Sequence, residues 1–236
     1  MTIVLAQISV SSNYKKNLSK ILNTMKNNKF DILVFPELSL TSYNLNKAIK
    51  LSNKKILDSL KKIQKRLKKH TIVIVGTLIQ KKKLRYNASA IISAKNINYY
   101  FKNTLTKYDT MYLNKGNTRL VFKFKKFKIG ILLCRDQDNI KLIEDYRKVN
   151  CDILIQQSAH YYSKNLLVQK IDKNIAMPIV RAIDTNTLFC KVNTVGTNEK
   201  ELSIGNSMIV NKQGVVLRKA NQFQEEIIKL TIKDKK

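Results

Sequence analysis

Apolar residues along this chain fall into two rhythms. Short apolar runs bounded by polar residues predict β-strands. They cover Ile3–Val10, Asp31–Phe35, Thr71–Gln80, Leu84–Ser93, Asn98–Phe101, Leu120–Lys125, Phe127–Leu133, Asp152–Gln157 and Leu188–Asn193. The Thr71–Gln80 run is almost continuously apolar, as in a strand buried on both faces. Helical spacing governs other segments. Leu18, Ile21, Leu22 and Met25 share one face of a helix over Tyr14–Asn27. Ile56, Leu57, Leu60, Ile63 and Leu67 do the same over Lys54–His70. Further helices are predicted over Asn139–Val149 and Ala176–Asn186. The tail reads as three strands, Ser207–Val210, Val215–Arg218 and Glu225–Ile232, with a turn at Gln213-Gly214. Helices alternate with strands early and strands dominate late. That order predicts an α/β layered fold, with large sheets and helices packed outside. No repeat and no Pro/Gly/Ser-rich linker divides the chain, so one domain over residues 1–236 is expected.

Composition narrows the class. Hydrophobic residues make up 44% of the 236, enough for a sizeable core. No apolar run approaches the roughly 20 residues of a membrane span. Met1–Ala6 has no basic region ahead of its apolar stretch, so no secretory signal is expected. Cys134, Cys151 and Cys190 cannot all pair, and a reducing cytoplasm is the expected compartment. The 45 Lys+Arg against 16 Asp+Glu give a net charge of +29. Only seven are Arg, and they are scattered. Lys, Asn, Ile and Tyr are plentiful while Gly and Pro are scarce, as when A/T-rich coding drift skews a whole chain. The basic surface is therefore read as solvated rather than as a nucleic-acid face; a non-catalytic basic binding protein is the alternative. The chain has no Gly-rich phosphate loop and no Cys/His metal cluster, so neither a cofactor nor a metal is expected.

Two strand ends carry candidate chemistry. Pro36 stops a buried strand and leaves Glu37 at its end, where α/β folds build sites. The apolar run Ile129–Leu133 ends abruptly in Cys134-Arg135-Asp136. A cysteine at such an edge differs from the core cysteines Cys151 and Cys190, and the N–H of Arg135 is placed to share its oxyanion. A cysteine nucleophile needs a base. With only two histidines, His70 and His160, the choice lies between a Cys–His pair through His160 and a carboxylate such as Glu37.

These residues resemble the nitrilase superfamily of carbon–nitrogen hydrolases, which uses a Glu–Lys–Cys triad in three ordered motifs. Phe35-Pro36-Glu37-Leu38-Ser39-Leu40-Thr41-Ser42-Tyr43 is similar to FPELxLTGY. Tyr100-Phe101-Lys102-Asn103-Thr104-Leu105 resembles YRKxHL, and Gly130-Ile131-Leu132-Leu133-Cys134-Arg135-Asp136 resembles GxxICYD. Glu37 and Lys102 are 65 residues apart, and Lys102 and Cys134 are 32 apart, both ordinary spacings for the family. Lys115-Gly116-Asn117, Cys151–Ala159, Arg181–Asn186, Asn193–Gly196 and Gly205–Ile209 resemble further motifs.

The resemblance implies a four-layer αββα sandwich, a homodimer or higher homo-oligomer, and no cofactor. It also implies hydrolysis of a small linear amide through a thioester on Cys134, with nitrile hydrolysis as the alternative. Glu37 is then the base, Lys102 the cation and Arg135 an oxyanion N–H. Asp109 stands seven residues after Lys102, where the family carries a second Glu, as a partner for the lysine. Tyr43, Ser158 and His160 are expected to line the substrate pocket. Arg135 and His160 stand where the family usually has aromatic residues, and the motif that often follows the cysteine is missing.

Overall fold

The computed structural model describes residues 1–198 and 201–233. Strands β1 (Thr2–Gln7), β2 (Ile32–Val34), β3 (Ile72–Lys81), β4 (Leu84–Ser93) and β5 (Ile97–Phe101) come first. They are followed by β6 (Val121–Phe124), β7 (Phe127–Leu133), β8 (Ile153–Gln157) and β9 (Leu188–Val192). Next come β10 (Val195–Asn198), β11 (Glu201–Ile204), β12 (Met208–Val210), β13 (Val216–Lys219) and β14 (Glu226–Thr231). The helices are α1 (Tyr14–Asn27), α2 (Leu45–Ala48), α3 (Asn53–Gln64), α4 (Lys107–Thr110), α5 (Ile140–Lys148) and α6 (Leu167–Thr185).

Two six-stranded sheets form, in the orders β14-β1-β2-β3-β4-β5 and β13-β12-β9-β8-β7-β6. Alternation along each strand sends one set of side chains inward and the next outward. Ile3, Leu5, Ile32, Val34, Ile72 and Ile74 of the first sheet meet Ile129, Ile131, Leu133, Ile153, Ile155 and Val192 of the second in a core between the sheets. The first sheet's other face packs on Ile21 and Met25 of α1 and on Ile56, Leu60 and Ile63 of α3. The second sheet's outer face packs on Leu142, Ile143 and Tyr146 of α5 and on Ala182 of α6. The result is the expected αββα sandwich. Strands β1, β2 and β3 are parallel, as are β7, β8 and β9. Their C-terminal ends therefore gather the chain's turns at one edge. No helix among the described residues is long and apolar enough to cross a membrane.

The predicted elements are present, with four corrections. β1 stops at Gln7 instead of Val10, and Ser9 only bridges Val195. The helix expected to reach His70 ends at Gln64, because its last turn tightens to i→i−3 bonds, Arg66 N–H to Ile63 O at 3.1 Å and Leu67 N–H to Gln64 O at 3.0 Å. α6 begins at Leu167, nine residues ahead of the predicted start, and carries Pro178 inside it. The short helices α2 and α4 and the β10–β11 hairpin lie in stretches with no apolar periodicity.

Candidate active site

Glu37 stands on the turn that ends β2. Phe35 N–H still bonds Ile74 O at 2.9 Å, then Pro36 removes the next donor and the chain folds over β3. Leu38 sits at φ 52°. The turn lies directly on Gly76, where a Cβ would come within 2.3 Å of Leu38 N, 2.4 Å of Pro36 O and 2.6 Å of Glu37 Cα. Only glycine leaves room there.

Lys102 follows β5 and is wholly buried. Its ammonium donates to Glu37 Oε1 and to Asp109 Oδ2, each at 2.8 Å. Asp109 is held in turn by a capping box at the start of α4: its N–H bonds Thr106 Oγ1 at 3.0 Å, and Thr106 N–H bonds Asp109 Oδ2 at 2.9 Å. Asn87 of β4 donates its amide to the same Glu37 Oε1 at 2.8 Å. Glu37 Oε2 is buried with no hydrogen-bond partner among the described residues. One carboxylate oxygen is thus anchored twice, and the other is left open.

Cys134 follows β7 and opens a 3₁₀ turn over Cys134–Asp138. Its φ of 44° is a strained value for a residue with a Cβ. Asp136 secures the turn. Its Oδ2 accepts from Leu133 N–H at 3.0 Å and Tyr100 OH at 2.7 Å. Its Oδ1 accepts from the N–H groups of Asn103 at 3.0 Å and Thr104 at 2.7 Å. One carboxylate therefore fixes the Cys134 elbow against the residues that follow Lys102. Gln156 Nε2 adds a bond to Cys134 O at 2.8 Å, and the Ala159 backbone N–H bonds the sulfur.

Burial and the Glu37 carboxylate push the Cys134 thiol above its ordinary range, with Lys102 opposing them. Burial by itself would lower the Lys102 ammonium, but Glu37 above all, together with Asp109, outweighs it and holds the lysine well above its usual value. The site therefore rests with Lys102 charged and Cys134 as the thiol.

The structure brings Glu37, Lys102, Asp109 and Cys134 together. Tyr43 joins them, its ring 5.6 Å from Tyr108 and 5.5 Å from Tyr161, and its hydroxyl is raised by burial and by Glu37. The Arg135 side chain points to solvent, which leaves its backbone N–H as its contribution to the turn. Ser158 is fully buried, its Oγ unpartnered among the described residues. His160 is half-buried, with Nδ1 2.6 Å from Asn174 Oδ1. His70 ends the α3 connection and takes no part. Arg181 pairs with Asp184 at 2.5 Å within the fold.

Sequence reasoning missed Asn87, Asp136, Ala159 and Lys191. Lys191 lies on β9 in register with Gln156 and is wholly buried. Burial pulls it down to about 7. A polar residue inside an otherwise apolar strand was the available signal for Asn87; for Lys191, one lysine among many, there was none. Among the described residues no three His, Cys, Asp or Glu side chains are placed to hold a metal ion.

The sequence pattern of the carbon-nitrogen hydrolase family matches residues 2–235. The chain belongs to that family. It is 26% identical over 245 residues to the glutamine-dependent NAD(+) synthetase of Acinetobacter baylyi, covering 95% of this chain and 43% of that protein. The chain thus spans less than half the length of this curated relative. It is 25% identical over 208 residues to the 2-oxoglutaramate amidase of Bacillus subtilis, covering 86% of this chain and 78% of the amidase. A CN-hydrolase superfamily structure from Xanthomonas campestris shares the fold with a TM-score of 0.86 at 16% identity, over 99% of this chain and 90% of that one.

Proposed function

We propose that this hydrolase cleaves a small linear amide through a thioester on Cys134. The observation that carries the proposal is the divided Glu37 carboxylate: Oε1 is bound by Lys102 and Asn87, and Oε2 is buried, without a partner among the described residues, and open to a proton. Glu37 Oε2 accepts the Cys134 thiol proton, and the thiolate attacks the amide carbon. The developing oxyanion is met by the Lys102 ammonium and the Arg135 N–H. Lysine has three donors, and Glu37 and Asp109 use two of them, so one remains for the oxyanion. Glu37 returns the proton to the leaving nitrogen as the C–N bond breaks, leaving a thioester. It then takes a proton from water, the hydroxide attacks the thioester carbon, and the carboxylic acid leaves as the thiol is restored.

Both curated relatives support an amide at the end of an acyl chain, one being named for glutamine dependence and the other for 2-oxoglutaramate. Self-association through α5 and α6 belongs to the same proposal. Ile140, Val168, Val180 and Ile183 are 56%, 75%, 42% and 54% exposed on those helices, and sedimentation velocity reads the assembly directly. The catalytic reading is tested by Glu37→Gln. This variant keeps the shape and removes the base, so single-turnover acylation by short-chain amides falls by about 10² or more. Acylation at the wild-type rate would remove Glu37 from the mechanism.

A further inference from the structure

Behind the site lies a buried polar cluster that the mechanism does not use. Asn174 of α6 is 2% exposed. Its Nδ2 donates to Lys170 O at 3.0 Å and to Tyr162 Oη at 3.3 Å. That fixes the amide's orientation, since a flip would lose the Lys170 bond and turn an NH₂ toward the Lys191 ammonium. Asn174 Oδ1 therefore faces two groups, Lys191 Nζ at 2.8 Å and His160 Nδ1 at 2.6 Å. Lys191 also donates to Asn174 O at 2.9 Å. An oxygen can only accept, so His160 Nδ1 must carry the proton.

The ring's other nitrogen follows from this. Burial and the nearby Lys191 charge hold His160 well below the usual imidazole range, so it is neutral and its Nε2 is a bare lone pair. Among the described residues no group hydrogen-bonds Nε2, and the ring is not sealed from solvent. The ring is also well placed. His160 directly follows Ala159, whose N–H bonds the Cys134 sulfur. Its own N–H is pinned to Asn193 Oδ1 at 3.0 Å, and its ring stacks on Tyr162 with centroids 6.0 Å apart.

We infer that His160 is a specificity-determining residue: its Nε2 accepts a hydrogen bond from the acyl group, so the site favours amides bearing a neutral donor, a hydroxyl or an N–H, over alkyl amides of the same length. The inference rests on the amide-hydrolase reading of the site. Lys191 and Asn174 are positioning residues that lock the tautomer.

Two measurements test this. In histidine-¹⁵N-labelled Cys134→Ala protein, with His70→Gln used for assignment, a long-range ¹H–¹⁵N correlation spectrum should show His160 protonated at Nδ1 and bare at Nε2 between about pH 6 and 8. Adding a hydroxybutyramide should shift the Nε2 signal, and butyramide should not. A protonated Nε2, or equal shifts with both ligands, overturns the inference whatever the activity. In the wild type, at least one of 2-, 3- and 4-hydroxybutyramide should exceed butyramide in kcat/KM by about tenfold or more. His160→Phe should reduce that ratio to within about twofold, with KM carrying the change. Asn174→Leu should lower the ratio as well. A ratio unmoved in His160→Phe overturns the inference and leaves the hydrolase reading standing. Failure of every amide to acylate the wild type overturns the hydrolase reading, and the spectrum then judges His160 by itself.

Discussion

Gly76→Ala probes how tightly the fold places its base. The new methyl carbon would lie 2.3 Å from Leu38 N and 2.4 Å from Pro36 O, both backbone atoms. Ordinary contact needs roughly 1 Å more at each. β3 cannot yield, since it is registered with β2 on one side and along its whole length with β4 on the other. The Glu37 turn must move instead, carrying the carboxylate away from Lys102 and Cys134. A displacement of about 1 Å costs on the order of 10²-fold in rate, or about 2.7 kcal/mol of barrier. Overpacking should cost a further 1–3 kcal/mol or so of stability, seen in urea denaturation as a lower midpoint with an unchanged slope. Single-turnover acylation of Cys134 at a temperature where the variant is fully folded separates the two effects. Acylation within about threefold of wild type would refute the argument that the Gly76 contact positions Glu37.

Other perturbations follow from particular contacts. Lys102→Met removes a cation bonded to Glu37 and Asp109 at 2.8 Å each, and single-turnover acylation should slow by about 3 kcal/mol in barrier or more. Lys102→Arg should not rescue it, because a planar fork cannot sit where a compact ammonium fits; a Lys61→Met control should be unaffected. Asp136→Asn puts an NH₂ where one oxygen accepts two hydrogen bonds, facing either Leu133 N–H and Tyr100 OH or the N–H groups of Asn103 and Thr104; a loss of about 1–3 kcal/mol in denaturation is expected. Lys191→Met tests a pH dependence. The folded lysine sits near 7 against 10.5 for the free group, so between those pH values the unfolded chain binds more protons and wild-type stability gains with rising pH. At about 1.4 kcal/mol per pH unit the gain is at most about 5 kcal/mol. The variant should lack it in a pH series of urea melts, and parallel curves for the two proteins would refute the assignment.

Much of the fold was legible because both sheets are built from apolar runs that only strands accommodate. The two parallel sets of strands also place the turns after β2 and β7 at one edge, so Glu37 and Cys134 could be read as strand-end residues, while Lys102 was legible only through the family resemblance. What stayed hidden was polar. The first half of α6 carries Gln169, Lys170, Asp172, Lys173 and Asn174, and Pro178 within it imitates a helix start, so the helix was begun too late. The β10–β11 hairpin pairs Gly196 with Ser203 and Asn198 with Glu201, without the alternation that marks a strand. Asp136 was legible as part of a motif, but its four hydrogen bonds join residues that only the fold brings together. Lys191 was hidden by composition: in a chain with 45 Lys+Arg, a lysine announces nothing until its burial is seen.

The most direct test of a cysteine acyl-enzyme is intact-protein mass spectrometry after brief exposure to a set of short-chain amides, followed by peptide mapping. The account predicts a mass increment equal to the acyl group, located on Cys134 and absent from Cys151 and Cys190. It should decay as the carboxylic acid appears, accumulate in a variant whose thioester hydrolysis is slowed, and be lost in Cys134→Ala. Turnover of those amides with no adduct on Cys134, undiminished in Cys134→Ala, would contradict it.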